Sequence, residues 1–171
     1  MKILHVAIAA VGSLAILAQM ALAEAPAKWR RLQPAGAGYR IEFPGTPTIT
    51  KDTLPSRAGP VPHLAAALTS GTYNYLVELT TYASASPQEA VLDLFTSGFA
   101  KTGKILAQTD LKIGPDSARR LEVELKDGLV ISTMLLVTDG TRFYWVSCTT
   151  TKGTEHSANV THFMDSFALV P

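Results

Sequence analysis

Cys148 is the only cysteine of the chain and the first candidate for nucleophilic chemistry. A lone thiol can attack a substrate when a nearby cation or a helix N-terminus lowers its pKa. Cys148 lies instead in the middle of the alternating run FYWVSCTTT, on the same face as Tyr144 and Val146. Because free cysteine is among the most buried residue types, we expect a packed structural thiol here.

His156, His162 and Asp165 are the nearest approach to a metal site. Ligands that share one face of a helix lie three or four residues apart. His162 and Asp165 meet this spacing, whereas His156 and His162 are six residues apart and diverge. A structural zinc ion takes four ligands. Two ligands do not make a dedicated site, and we expect His162 at the border of the solvated face.

Acid/base chemistry could come from Glu122 and Glu124, which lie on one face of a predicted strand. With Lys126 they also form the polar side of a half-solvated strand, and this simpler interpretation is favoured. His63 stands in an apolar strand, where a partnered or exposed histidine is the ordinary outcome. There is no nucleophile elbow, phosphate-binding glycine loop or HExxH motif. The sequence therefore predicts no catalytic, cofactor-binding or metal-binding residues and no cofactor.

Hydrophobic periodicity predicts the elements that carry these residues. Alternating runs indicate strands, starting with Tyr39, Ile41 and Phe43 on one face. The following FPGTP favours a sharp corner, because Pro44 lacks an N–H group and Gly45 can take a positive φ. TITKDTL then predicts an edge strand, and LVISTMLLV a central strand that is covered on both faces. Asp127-Gly128 and Asp139-Gly140 are typical of hairpin turns.

Two helices are predicted. The first has the pattern of a capping box, with Ser86 at the N-cap, Pro87 at the first position and Glu89 three residues after the cap. Its apolar stripe is Val91, Leu94, Phe95 and Phe99, and Gly103 ends it. The second helix buries Val160, Phe163, Met164 and Phe167. Segregated strands and helices in this order predict an α+β fold, with a single mainly antiparallel sheet packed against helices.

The domain organisation follows from the N-terminus. Residues 1–23 have one positive charge at Lys2, an apolar stretch and a small-residue close at Ala21-Leu22-Ala23, which predicts a signal peptide. A retained membrane anchor is the alternative, but Gly12 and Ser13 interrupt the stretch. Residues 24–37 form an N-terminal leader, and residues 38–171 form a single domain. We expect an exported protein, periplasmic or extracellular, with no stable membrane anchor after cleavage.

The charge balance excludes some partners. The chain has 15 basic and 14 acidic residues, and loss of Lys2 with residues 1–23 leaves 14 of each. Such an even balance gives no electrostatic basis for binding nucleic acid or an anionic membrane. An exported chain with one cysteine has no internal disulfide, which is more typical of a bacterial envelope protein than of a small secreted module.

Aromatic residues leave a contact surface open as a possibility. Phe143 and Trp145 point to the opposite face from Tyr144, because adjacent strand residues alternate. One face must be core, and the other is either covered by a helix or exposed to a partner. The apolar character of the neighbouring strands favours a covered face.

The F-P-G-x-P corner after the first strand, the DG hairpins and the closing FMDSFAL segment (Phe163 to Leu169) together resemble the PsbP-like superfamily. This α/β sandwich is shared by an extrinsic photosystem II subunit, a Ran-binding nuclear import factor and many exported bacterial proteins. The likeness covers about Tyr39 to Val170. It implies an accessory or binding module without catalytic residues, and no functional residue is carried over.

We therefore expect a non-catalytic binding domain of the bacterial envelope with an envelope protein as partner. A small-molecule or metal-ion carrier is the alternative, and a hydrolase comes third.

Overall fold

The computed structural model describes residues 28–56, 59–125 and 128–171. The predicted signal peptide lies outside the described residues, as does Asp127 of one predicted hairpin turn. Two helices are described, α1 (Gln88–Thr102) and α2 (Ala158–Ser166). The strands, in chain order, are β1 (Arg30–Leu32), β2 (Tyr39–Phe43), β3 (Thr48–Leu54), β4 (Val61–Ser70), β5 (Tyr73–Thr81), β6 (Lys104–Ile113), β7 (Asp116–Leu125), β8 (Val130–Thr138), β9 (Arg142–Thr151) and β10 (Ala168–Leu169).

These strands form two antiparallel sheets. The large sheet has seven strands in the order β3-β4-β5-β9-β8-β7-β6, and the small sheet has the order β1-β2-β10. The small sheet and α2 contribute to one core on one face of the large sheet, and α1 packs on the opposite face. Among the described residues, no helix combines the length and the apolar character needed to cross a bilayer.

The predicted α+β class with a single sheet is wrong. Of the described residues, 54% lie in strands and 18% in helices, so the chain is mostly β and has two sheets. The error arises at the ends of the chain. Residues 30–32 of the predicted leader form β1 and pair with β2, and Ala168–Leu169 pair with its other side. Because β2 has a partner on each side, it does not join the large sheet.

The corner after β2 separates the two sheets. Residues 44–47, Pro-Gly-Thr-Pro, lie between β2 and β3, which begins at Thr48 as an edge strand of the large sheet. Pro44 and Pro47 have no N–H group for a sheet ladder, so regular pairing is interrupted here. All seven residues of β3 are exposed, which confirms the predicted edge strand.

Side-chain alternation explains the core. Tyr39, Ile41 and Phe43 of β2 are fully buried, as are Tyr144, Val146 and Cys148 of the central strand β9. Strand β8 is buried on both faces, as predicted. Val160, Phe163 and Met164 of α2 close the same core. The second core lies under α1 and contains Val91 and Leu92 together with residues of β7, β8 and β9.

The start of α1 differs from the predicted capping box. The N-cap is Pro87, and no side chain caps the helix. The N–H group of Ser86 donates to the Gly140 carbonyl, and Glu89 Oε1 accepts a hydrogen bond from the Ser117 hydroxyl at 2.8 Å. Tertiary contacts to other strands therefore replace the local cap. The predicted stripe is also corrected, because Leu94 is exposed and Leu92 is buried, but Gly103 does end the helix.

Arg119 fixes α1 to the sheet. Its side chain is only 5% exposed, and the guanidinium contacts Asp110 through Nε at 2.5 Å and Nη2 at 3.1 Å. Nη1 reaches Asp93 of α1 at 2.8 Å and the Thr96 hydroxyl at 3.1 Å. If Arg119 loses one of its acceptors, the guanidinium is still buried and its desolvation cost is no longer compensated. If Arg119 is replaced by an apolar residue, the ion pairs and the desolvation cost are lost together.

We expect Asp110→Ala to lower the free energy of unfolding by about 2 kcal/mol, because the buried Arg119 guanidinium loses two of its hydrogen bonds. Arg119→Met should cost less, since Asp93 and Asp110 are more than half exposed and can be solvated. Urea unfolding measures both, with Arg120→Met, an exposed neighbouring arginine, as the control. A larger loss for Arg119→Met than for Asp110→Ala would contradict this account.

Asp139 holds the β8–β9 hairpin. Burial alone would raise the pKa of its carboxyl, but hydrogen bonds from the backbone and guanidinium of Arg142 and from Thr141 outweigh burial and hold the pKa well below its usual range. A lowered carboxylate pKa stabilises the fold above the unfolded pKa, near 4, and this contribution is lost as the pH falls.

Asp139→Asn keeps a residue suited to the turn before Gly140, but it removes the charge and one of the two oxygens that accept hydrogen bonds. We expect it to cost about 1–2 kcal/mol at pH 7, because charge-assisted hydrogen bonds weaken. The difference from the wild-type protein should shrink as the pH falls below about 4. Urea unfolding at several pH values tests this expectation, and a penalty that stays constant down to pH 2 would refute it.

Candidate functional site

A charged groove of about 380 Å³ lies between the small sheet and α2. We call it the β2–α2 groove. Five of its lining residues are ionisable, so its walls are charged rather than apolar. Its lining consists of Arg31, Arg40, Ile41, Glu42, His162, Asp165, Ser166 and Ala168.

The pleat of the small sheet positions one wall. Alternation along β2 sends Tyr39, Ile41 and Phe43 into the core and leaves Arg40 and Glu42 on the outer face. Arg31 of β1 lies opposite Glu42, and Ala168 of β10 lies opposite Arg40. The small side chain of Ala168 leaves room beside Arg40.

The second wall is the polar edge of α2. Burial of Val160, Phe163 and Met164 fixes the rotation of the helix. His162 and Asp165, three residues apart, then face the groove, as expected for one helical edge. His162 is exposed and borders the apolar face, which confirms its predicted position.

Glu42 and Ser166 connect the two walls. His162 Nε2 lies 2.8 Å from Glu42 Oε2, and the imidazole stacks on the Trp29 ring at 4.0 Å between centroids. The Glu42 backbone N–H donates to Ser166 Oγ at 2.9 Å, and that hydroxyl donates to the Phe163 carbonyl. These contacts join α2 to β2 across the groove.

The arginines of the groove have longer or fewer contacts with carboxylates than His162 has. Arg31 reaches Glu42 only at 3.9 Å, and Arg40 has no ion pair within the described part of the chain. Asp165 pairs with Arg120 at 3.3 Å, where both side chains are about half exposed. Exposed pairs of this kind contribute little to stability. The arginine side chains can therefore turn to an incoming carboxylate at small cost.

The predicted metal candidates do not converge. His162 and Asp165 line one groove but contact Glu42 and Arg120, while His156 lies apart, 3.6 Å from Glu122. Within residues 28–56, 59–125 and 128–171 no three His, Cys, Asp or Glu side chains are arranged to hold a metal ion.

Cys148 is sealed in the core, with no exposed surface. Burial raises the pKa of its thiol to about 12. Burial without a nearby cation is the opposite of the setting that activates a cysteine nucleophile. The predicted burial of this thiol is confirmed.

Glu122 and Glu124 are engaged separately. Glu124 pairs with Lys152 at 2.5 Å, and this hydrogen bond holds the pKa of the Glu124 carboxyl below its usual range. Glu122 lies beside His156. Two carboxylates that each contact a different side chain, Lys152 and His156, favour the polar side of a strand over an acid/base pair.

His63 has partners that sequence reasoning missed. Its Nδ1 lies 2.7 Å from Asp52 Oδ1 on β3, and its Nε2 lies 3.8 Å from Glu78 Oε1 on β5. Burial raises the pKa of Glu78, and the nearby His63 opposes this shift. The pairing depends on the register His63↔Asp52, which no spacing along the chain reveals.

The aromatic residues of β9 contact other rings on both faces of the large sheet. Phe143 stacks on Phe95 at 3.7 Å between centroids, and Trp145 packs edge-on against Phe99 at 5.0 Å. Tyr144 lies in the other core and donates to the Ala37 carbonyl. The expectation of a covered face is confirmed for Phe143, whereas Trp145 is only partly buried.

Comparison with known proteins gives no family. No family model matches the chain, and no curated protein matches its sequence. A solved structure of a protein of unknown function, PA94 from Pseudomonas aeruginosa, is similar with a TM-score of 0.42 and 14% identity, over 80% of this chain and 89% of that one. The resemblance to the PsbP-like superfamily stays a prediction.

The buried thiol gives a direct test of the Cys148 assignment. We expect a chromogenic disulfide reagent to leave the native protein unlabelled at pH 8 and to label one thiol in denaturant, because the folded core excludes the reagent. Absorbance measures the released thiolate. Rapid labelling of the native protein with a pH dependence near 7 would contradict the assignment.

Proposed function

We propose that this protein is an exported, non-catalytic binding domain, and that its β2–α2 groove recognises carboxylates on an envelope protein. The observation that carries the proposal is the pair of outward arginines on neighbouring strands, of which Arg40 has no ion pair in the described residues. Arginine presents a planar fork that matches a carboxylate in two hydrogen bonds.

The contacts between the two walls of the groove support binding. Trp29, His162, Glu42 and Ser166 are connected by stacking and hydrogen bonds, so a partner would have to order only the arginine side chains when it docks. Glu42 and Asp165 add negative charge at the rim. They would disfavour a partner with carboxylates in the wrong positions, which is a source of specificity.

The chemistry of the groove favours recognition over turnover. His162 contacts a carboxylate and an aromatic ring, and the Ser166 hydroxyl is engaged with the backbone on both sides. A nucleophile needs a base within hydrogen-bonding reach that takes its proton. The Ser166 hydroxyl donates instead to the Phe163 carbonyl, which is not a base. The resemblance to the PsbP-like superfamily, whose members are accessory or binding modules, agrees with the proposal.

Immobilised protein and a native envelope extract test this function. We expect the wild-type protein to retain a discrete partner at about 0.1 M salt and to lose it at higher salt, because screening weakens exposed charge pairs. The double variant Arg31→Ser, Arg40→Ser should reduce retention about tenfold, since each lost charge pair weakens the complex.

The double variant Lys51→Ser, Lys101→Ser is the matched control, because it removes two exposed cations elsewhere and should retain the partner. Equal retention by all three proteins would overturn the proposal. Turnover of a hydrolase substrate panel by the purified protein that His162→Ala abolishes would overturn it as well.

A further inference from the structure

A second cavity, of about 310 Å³, opens where α1 ends. Gly103 stops the helix close against the Glu124 carbonyl, with no room for a side chain. Beyond this point α1 no longer covers the face of the large sheet. The cavity lies between Phe99 and Thr102 at the helix end and strands β5, β8 and β9, and we call it the α1-end cavity.

Its walls are chemically unlike those of the β2–α2 groove. Phe99, Trp145, Leu76, Leu125 and Met134 supply the apolar surface, and the polar lining consists of hydroxyl and amide side chains. No lining residue is ionisable. A charged ligand would lose its hydration without gaining an opposite charge, which is costly. The cavity therefore suits an uncharged molecule.

Trp145 adds a specific polar feature. Its indole Nε1 is buried and has no hydrogen-bond acceptor among the described residues. An unsatisfied buried donor is costly, and a ligand that provides an acceptor removes this cost. Since Nε1 has no exposed surface, a neighbouring side chain must shift first. Phe99 is only partly buried and packs edge-on against the indole, which makes it the candidate for this movement.

We propose that the α1-end cavity binds an uncharged, largely apolar small molecule whose hydrogen-bond acceptor pairs with Trp145 Nε1. The size and the mainly apolar walls with few polar groups match those of ligand pockets. Hydroxyl groups of Ser132, Ser147 and Thr149 lie along the sheet side of the cavity. This site is separate from the β2–α2 groove and does not depend on its function.

Benzophenone is the probe, because it is neutral, aromatic and carries one carbonyl acceptor. Diphenylmethane has the same two rings and no acceptor, and 4-benzoylbenzoate adds a negative charge. We expect calorimetry to show benzophenone binding about fivefold or more tightly than diphenylmethane, the effect of one net hydrogen bond. 4-Benzoylbenzoate should bind this cavity at least about tenfold more weakly than benzophenone.

Variants locate the site. Trp145→Phe should remove the preference for benzophenone over diphenylmethane, because the donor is lost. Thr149→Phe places a ring on a partly buried strand position in the lining and should abolish binding of both probes. Thr109→Phe, on the exposed edge strand β6, is the control and should change nothing. Circular dichroism verifies the fold of each variant.

Photochemistry gives a readout that needs no variant. Irradiated benzophenone inserts into nearby C–H bonds, and we expect mass spectrometry to place the adduct on Met134, Phe99 or Leu76. Absence of benzophenone binding up to its solubility limit, equal affinity for benzophenone and diphenylmethane, or adducts elsewhere would each overturn the proposal.

Discussion

The structure depends on the burial of one short strand between partners from the two ends of the described chain. Tyr39, Ile41 and Phe43 of β2 are fully buried, and the strand pairs with β1 on one side and β10 on the other. Burial of each such side chain contributes about 1.5–3 kcal/mol, which outweighs any single exposed ion pair on the surface. The same alternation that buries these three side chains turns Arg40 and Glu42 outward. The core and the charged groove are therefore two sides of one strand.

Local patterns predicted the elements well where a single segment determines them. The alternation of β2, the exposed edge strand β3, the doubly buried β8 and the end of α1 at Gly103 follow from residue order alone. The division of the strands between two sheets does not follow from residue order. Strand β1 has three residues and β10 has two, which is too short for a period to be visible. Strand β10 also reaches β2 from the far end of the chain. The error of a single sheet has this origin.

The candidate site was predictable only in part, for the same reason. The three-residue spacing places His162 and Asp165 on one helical edge, but Glu42 and Trp29 approach from the other end of the chain. Likewise, the capping-box pattern predicts that Glu89 caps the start of α1, but its side chain accepts a hydrogen bond from Ser117 of β7 instead. Cys148 was correctly predicted because burial of a mid-strand residue is a local property. The α1-end cavity appears only once α1 has been placed over β9.

Hydrogen exchange tests most directly whether the small sheet is part of the cooperative core. We expect the hydrogen-bonded amides of β2 to open with the same free energy as those of the central strand β8, because side chains of both strands lie in one buried core. Exchange of β2 several kcal/mol below the global free energy of unfolding, with β8 still protected, would show that the small sheet is a separately opening layer and would contradict the account.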